Sequence, residues 1–135
     1  MKVLIVGASG FVGGELMKAF GGAAAGTYCH SPRAGLEKLD MTDGDAVAAF
    51  VKEMGPQLII HPAAQPNVDR CEGEVEESHQ VNVAGTANVA SAAAEAGARY
   101  VYFSTDYLFD GRRGPYATDA EPSPLSVYGR HKLEA

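Results

Sequence analysis

The sequence predicts an α/β fold, a doubly wound parallel sheet, and three observations carry that prediction. Lys2 to Gly13 (KVLIVGASGFVG) passes from a short apolar run through a glycine-spaced turn into a helix-periodic stretch, so strand, turn and helix follow one another directly. Apolar runs and helical stripes then alternate to the end of the chain, the sequence form of successive βαβ units. The 135 residues, 46% of them hydrophobic, are long enough to bury a core without staples, and residues 1–135 read as a single domain.

Val3 to Val6 is the first strand. Val12, Leu16, Ala19 and Phe20 then share one face of a helix from Phe11 to Phe20, ended by Gly21 and Gly22. Ala23 to Cys29 is the second strand, closed by His30-Ser31-Pro32, and Leu36 to Leu39 is a short third strand with Asp40 at its end. Thr42 reads as the N-cap of a second helix, with Asp43 and Asp45 in its first turn, a stripe of Val47, Phe50, Val51 and Met54, and a stop at Gly55-Pro56. Gln57 to His61 is aliphatic, as a strand covered on both faces should be. An irregular or short helical connection from Gln65 to Glu74 leads to a long helix from Val75 to Ala96, where Glu72, Glu74, Glu76 and Glu77 suit a solvated, positive helix end. Tyr100 to Thr105 is the fifth strand. Asp110 to Pro122 is a loop of the kind that carries function, and Ser123-Pro124 opens a last helix from Leu125 to the end.

The formal charge of −6, with scattered arginines, argues against a nucleic-acid partner, and no apolar run approaches the ~20 residues of a membrane span. Cys29 and Cys71 are isolated thiols in a chain that enters a strand at once, with no signal sequence, which points to a reducing cytoplasm. No spacing suggests a metal site. His61 and His79 read as packed or exposed, and His131 lies on a different helical face from Tyr128 and Lys132.

In a doubly wound sheet the ligand sits at the carboxyl ends of the strands, which selects Gly7 to Gly13, His30 to Arg33, Asp40-Met41, Ala63-Ala64 and Ser104 to Tyr107. The turn through Gly7, Gly10 and Gly13 brings backbone N–H groups and a positive helix end to a pyrophosphate. Tyr128 and Lys132 are four apart on one helical face. A nearby ammonium lowers a phenol from its free pKa of about 10, so the pair is either a tuned proton donor or an aromatic beside an exposed lysine. A hydroxyl of Ser104-Thr105 could bond a substrate carbonyl. No acid lies between Glu15 and Glu37 to grip a ribose 2′-hydroxyl, whereas His30, Ser31 and Arg33 suit a 2′-phosphate. The expected cofactor is NADPH, with NADH as the second option.

Gly7-x-x-Gly10-x-x-Gly13, Ala63-Ala64, Asn82, Ser104-Thr105-Asp106-Tyr107 and Tyr128-x-x-x-Lys132 together resemble the extended short-chain dehydrogenase/reductases. STDYLFDG at 104–111, PYATDAEPSPLSVYGRHKLEA from 115, HPAAQPNVDRCE at 61–72 and VNVAGTANVA at 81–90 are similar, more narrowly, to dTDP-4-dehydrorhamnose reductases. The resemblance covers essentially the whole chain and implies an NAD(P)-binding Rossmann fold. It implies NAD(P)H-dependent reduction of a nucleotide-linked 4-keto-6-deoxy sugar in dTDP-L-rhamnose biosynthesis. Tyr128 would protonate the keto oxygen, Lys132 would lower its pKa and bind the nicotinamide ribose, and Thr105 would orient the carbonyl. Thr105 is chosen over Ser104 because aligning Phe109 with the aromatic of the related SSxxxVY pattern puts the catalytic position four before it. Gly7, Ser9, Gly10, Phe11, Val12, Gly13, Ala63 and Ala64 would line the cofactor, with Asp40-Met41 flanking the adenine unless Asp40 is only a turn residue. Asn82 would help hold a proton-relay water, or else bond locally. A homodimer is compatible with the resemblance.

Members of the extended family continue beyond the position of Ala135 into a substrate-binding domain, so the chain is expected to be C-terminally incomplete and weakly active or inactive by itself. The rival readings are another extended-family enzyme on a nucleotide sugar, an epimerase or dehydratase, and a non-catalytic NADP-binding subunit. The latter resembles the regulatory β subunit of methionine adenosyltransferase through an SDYVFDG-like segment.

Overall fold

The computed structural model describes residues 1–135. Its centre is a five-stranded, all-parallel sheet of β1 (Val3–Ile5), β2 (Ala24–Tyr28), β3 (Leu36–Lys38), β4 (Leu58–His61) and β5 (Arg99–Tyr102), in the order β3-β2-β1-β4-β5. Val3 is in register with Ala24 on one side and Leu58 on the other. The chain moves outward from β1 through β2 to β3, then returns to the other side of β1 for β4 and β5. That reversal opens a crevice beyond the carboxyl ends of β1 and β4, where doubly wound sheets bind ligands.

The central strands β1 and β4 are apolar without alternation because both of their faces are covered. Leu4, Val6 and Ile59 join Val47 and Val51 of α2 (Gly44–Met54) and Val89, Ala92 and Ala93 of α5 (Thr86–Glu95). Val3, Ile5 and Ile60 point the opposite way, toward Leu16, Met17 and Phe20 of α1 (Phe11–Phe20). Full burial of each such Val, Leu or Ile contributes about 1.5–3 kcal/mol before chain entropy is subtracted. The remaining helices are α3 (Val68–Gly73), α4 (Val75–His79) and α6 (Val127–Glu134).

All five expected strands and the expected helices form, with four local differences. Asp43, not Thr42, caps α2: its carboxylate accepts from the Ala46 N–H at 3.0 Å, while the Thr42 hydroxyl is turned back to Asp40. The long helix runs from Val75 to Glu95, but its middle, Gln80–Gly85, widens into a π-helical turn between α4 and α5. The fifth strand stops at Tyr102, whose register partner His61 is the last residue of β4; beyond it the Thr105 hydroxyl accepts from the Tyr107 N–H and starts a 3-10 turn. The last helix begins at Val127 under a Ser126 cap whose hydroxyl oxygen accepts from the Gly129 N–H at 3.0 Å, while ahead of it the Ser123 N–H donates to the Leu108 carbonyl at 2.7 Å. No helix is long and apolar enough to cross a membrane.

Candidate active site

The turn after β1 is fixed from three sides. The Ala8 N–H donates to the Thr27 carbonyl at 2.8 Å, the Ala63 N–H to the Val6 carbonyl at 3.2 Å, and the Gly10 N–H to the Gly7 carbonyl at 3.1 Å. Gly7 has φ +90°, and a Cβ there would stand 2.8 Å from the Ala63 Cβ; at Gly13 a Cβ would collide with the Gly7 carbonyl oxygen. Only glycine fits either position. The consequence is a bare N-terminus on α1: Gly10 is the N-cap, no side chain caps it, and no acid occupies the first turn. Its free N–H groups and positive dipole end meet a cavity of about 430 Å³ lined by Ser9 to Gly13, His30, Ser31, Ala63 and Ala64, with no acidic residue.

A second, more enclosed cavity of about 150 Å³ adjoins it, between Val6, Thr27, Tyr28, Leu39, Asp40, Met41, Ala63, Ala64 and Val81. Asp40 serves here mainly as a turn residue, because its carboxylate accepts from the Thr42 N–H at 2.9 Å and hydroxyl at 2.8 Å. Those bonds hold it below the usual carboxylate range. Arg33 lines neither cavity. Its guanidinium lies over the start of α1, where a Cβ on Gly14 would stand 3.6 Å from it.

At the carboxyl end of β5, Thr105, Tyr128 and Lys132 come together. The Tyr128 ring meets Tyr107 edge-on at 5.5 Å. Burial pushes the Tyr128 phenol up, and the Thr105 hydroxyl beside it pulls the other way. Lys132 is only 6% exposed, donates to the Phe103 carbonyl at 2.6 Å and sits 3.7 Å above the Tyr102 ring centroid. Desolvation brings its ammonium down to about 8. The net direction of the Tyr128 phenol is upward, against the lowering expected from Lys132. The ammonium is directed to β5 instead.

The other expected residues divide. Asn82 reaches neither cavity: it is 1% exposed, its carbonyl accepts from the Gln65 N–H at 2.7 Å and its amide donates to the Gln65 carbonyl at 3.1 Å. It tethers the loop after β4, and the π-helical turn points it there. His61 is fully buried, with Nδ1 2.7 Å from the Tyr100 hydroxyl and Nε2 3.2 Å from the Met41 sulfur; desolvation takes it down to about 4, so it is neutral. His131 faces α4, near Ser78 and His79, as its separate helical face requires.

Sequence reasoning missed Tyr102 beneath Lys132 and treated Glu72 as a solvated charge. Glu72 accepts from the Val127 N–H at 2.7 Å and so pins the start of α6. Parity along β5 was the available signal for Tyr102, which shares a face with Tyr100.

The profile of the family described as RmlD substrate binding domain matches residues 1–135. The chain belongs to that family. It is 36% identical over 136 residues to methionine adenosyltransferase 2 subunit beta of Rattus norvegicus, covering 98% of this chain and 41% of that protein. It is 40% identical over 134 residues to dTDP-4-dehydrorhamnose reductase of Mycolicibacterium smegmatis, covering 98% and 39%. Among solved structures, a hypothetical dTDP-4-dehydrorhamnose reductase from Sulfolobus tokodaii superposes with a TM-score of 0.94 at 35% identity, over 99% of this chain and 50% of that one. The dTDP-4-dehydrorhamnose reductase from Bacillus anthracis in complex with NADP gives 0.87 at 34%, over 98% and 47%. The chain thus spans about two fifths of the curated relatives and about half of the solved ones, and the doubly wound Rossmann fold is common to them.

Proposed function

We propose that residues 1–135 are the dinucleotide-binding domain of an NADPH-dependent reductase acting on a nucleotide-linked 4-keto-6-deoxy sugar. The observation that carries the reading is the uncapped N-terminus of α1, opening on a cavity without acids behind glycines that admit no side chain. The site fits a dinucleotide. The diphosphate would accept from the Phe11 to Gly13 backbone, with Ser9 beside it, and the adenine would enter the smaller cavity against Met41 and Ala63-Ala64. His30, Ser31 and Arg33 would meet the 2′-phosphate. Bound NADPH supplies the hydride. Thr105 orients the sugar carbonyl, Tyr128 delivers the proton to its oxygen, and Lys132 binds the ribose. Asn82 acts on the site only through the Gln65 loop. The two free cysteines, Cys29 and Cys71, suit a reducing cytoplasm.

Oxidation of NADPH by the chain in the presence of a dTDP-linked 4-keto-6-deoxy sugar tests the reading. Weak turnover that Tyr128→Phe abolishes is expected. NADPH binding without turnover, together with co-purification of a methionine adenosyltransferase, would favour the second reading, a regulatory NADP-binding subunit; the identity to subunit beta relatives motivates it.

A further inference from the structure

Lys132 is a buried ammonium without a carboxylate partner. The ion pairs of the molecule join Lys18 to Glu15, Arg70 to Glu74 and Glu77, His79 to Glu134, and Arg112 to Asp110. The Lys132 charge is met only by the Phe103 carbonyl at 2.6 Å and the face of Tyr102, 3.7 Å from the ring centroid. A ring face at that distance offers its negative quadrupole to a cation, and the attraction grows as water is removed. The ring is also held in place. Tyr100 stacks on Tyr102 at 6.4 Å and 9°, His61 meets Tyr102 at 5.8 Å, and the Tyr100 hydroxyl is bonded to His61 Nδ1 at 2.7 Å. His61 in turn touches the Met41 sulfur at 3.2 Å, which ties this platform to the wall of the smaller cavity. A side chain that merely filled space would need neither this stacking nor a cation centred on its face.

We propose that Tyr102 is a positioning residue, whose ring face, with the Phe103 carbonyl, holds the Lys132 ammonium in place at the carboxyl end of β5. The proposal rests on the reading of Lys132 as a ribose-contacting residue for its consequence, but not for its geometry. Tyr102→Phe keeps the ring face and loses only the hydroxyl; Tyr102→Leu keeps bulk and loses the face.

Two readouts on the 135-residue chain test it. In chain carrying labelled lysine ε-carbons, the Lys132 ε-protons are expected upfield of the other lysines through the Tyr102 ring current, unchanged in Tyr102→Phe and displaced back in Tyr102→Leu. In NADPH titrations, Tyr102→Phe is expected within about twofold of the parent and Tyr102→Leu about tenfold weaker, with no further loss when Tyr102→Leu is combined with Lys132→Ala. A Lys132 signal without the upfield displacement overturns the proposal. So does Tyr102→Phe as damaging as Tyr102→Leu, or a Tyr102→Leu loss that persists in full beside Lys132→Ala. Absence of NADPH binding by the parent chain would reject the dinucleotide reading instead, and the ring-current displacement would still decide the role of Tyr102.

Discussion

At the glycine turn, backbone and core set the geometry; around Tyr128, side-chain hydrogen bonds and aromatic contacts do. The turn is bracketed by Val3, Leu4, Ile5 and Ile59, all 0% exposed, and by main-chain bonds from Ala8, Gly10 and Ala63. On the other side, Val101 in β5 is 44% exposed and Phe103 just beyond it 41%, and α6 is held by Glu72, the Ser126 cap, His131 and Lys132. The first region is therefore preformed and tolerates little change in shape. The second is adjustable, and its alignment depends on a few polar partners that can be removed singly.

The largest effect should come from adding one methyl group to the rigid side. Gly13→Ala drives a Cβ into the Gly7 carbonyl and is expected to cost about 3 kcal/mol of stability in denaturant unfolding, with loss of NADPH binding. Acid should strike between the two regions, at His61. Its folded pKa of about 4 lies below the usual 6.5, so the unfolded chain binds the proton first, and stability falls as the pH drops through 6.5 toward 4. The full span corresponds to about 3 kcal/mol, and unfolding at neutral pH and near pH 4 should show that much less loss in His61→Gln.

Smaller effects sharpen the contrast. Arg33→Ala is expected to weaken NADPH about tenfold, near 1.4 kcal/mol, and leave NADH unchanged; equal losses would remove Arg33 from the 2′-phosphate. Glu72→Ala should cost about 1 kcal/mol, seen as faster amide exchange in α6 while α1 exchanges as before. Lys18→Ala, which breaks the exposed pair with Glu15, should change stability by less than about 0.5 kcal/mol.

The rigid region was the legible one. Strand identity, α1 and the glycine spacing follow from local pattern, because a buried parallel strand and a tight turn each demand particular residue types along a short stretch. That Thr105, Tyr128 and Lys132 gather at one end of β5 was also legible, through the spacing of Tyr128 and Lys132 and the resemblance; their catalytic roles are the proposal. The direction of the Lys132 ammonium was not, since it depends on where α6 crosses β5, and that crossing is fixed by Glu72, far away in sequence. The start of α2 was misplaced for a related reason: the Thr42 hydroxyl, a good cap, donates to Asp40 instead; α6 starts later than Ser123, under the Ser126 cap. Asn82 was legible only as an asparagine that would hold a relay water or bond locally; its partner Gln65 lies across the π-helical turn, which no periodicity announces.

The most direct test of the account follows backbone amide signals of the chain during an NADPH titration. Saturable shifts at Ser9–Gly13, His30–Arg33, Asp40-Met41, the Ala63-Ala64 wall and Lys132, with NADH requiring a concentration about tenfold higher, are the predicted result. Amides of the α1 N-terminus that stay unmoved at saturating NADPH would contradict it.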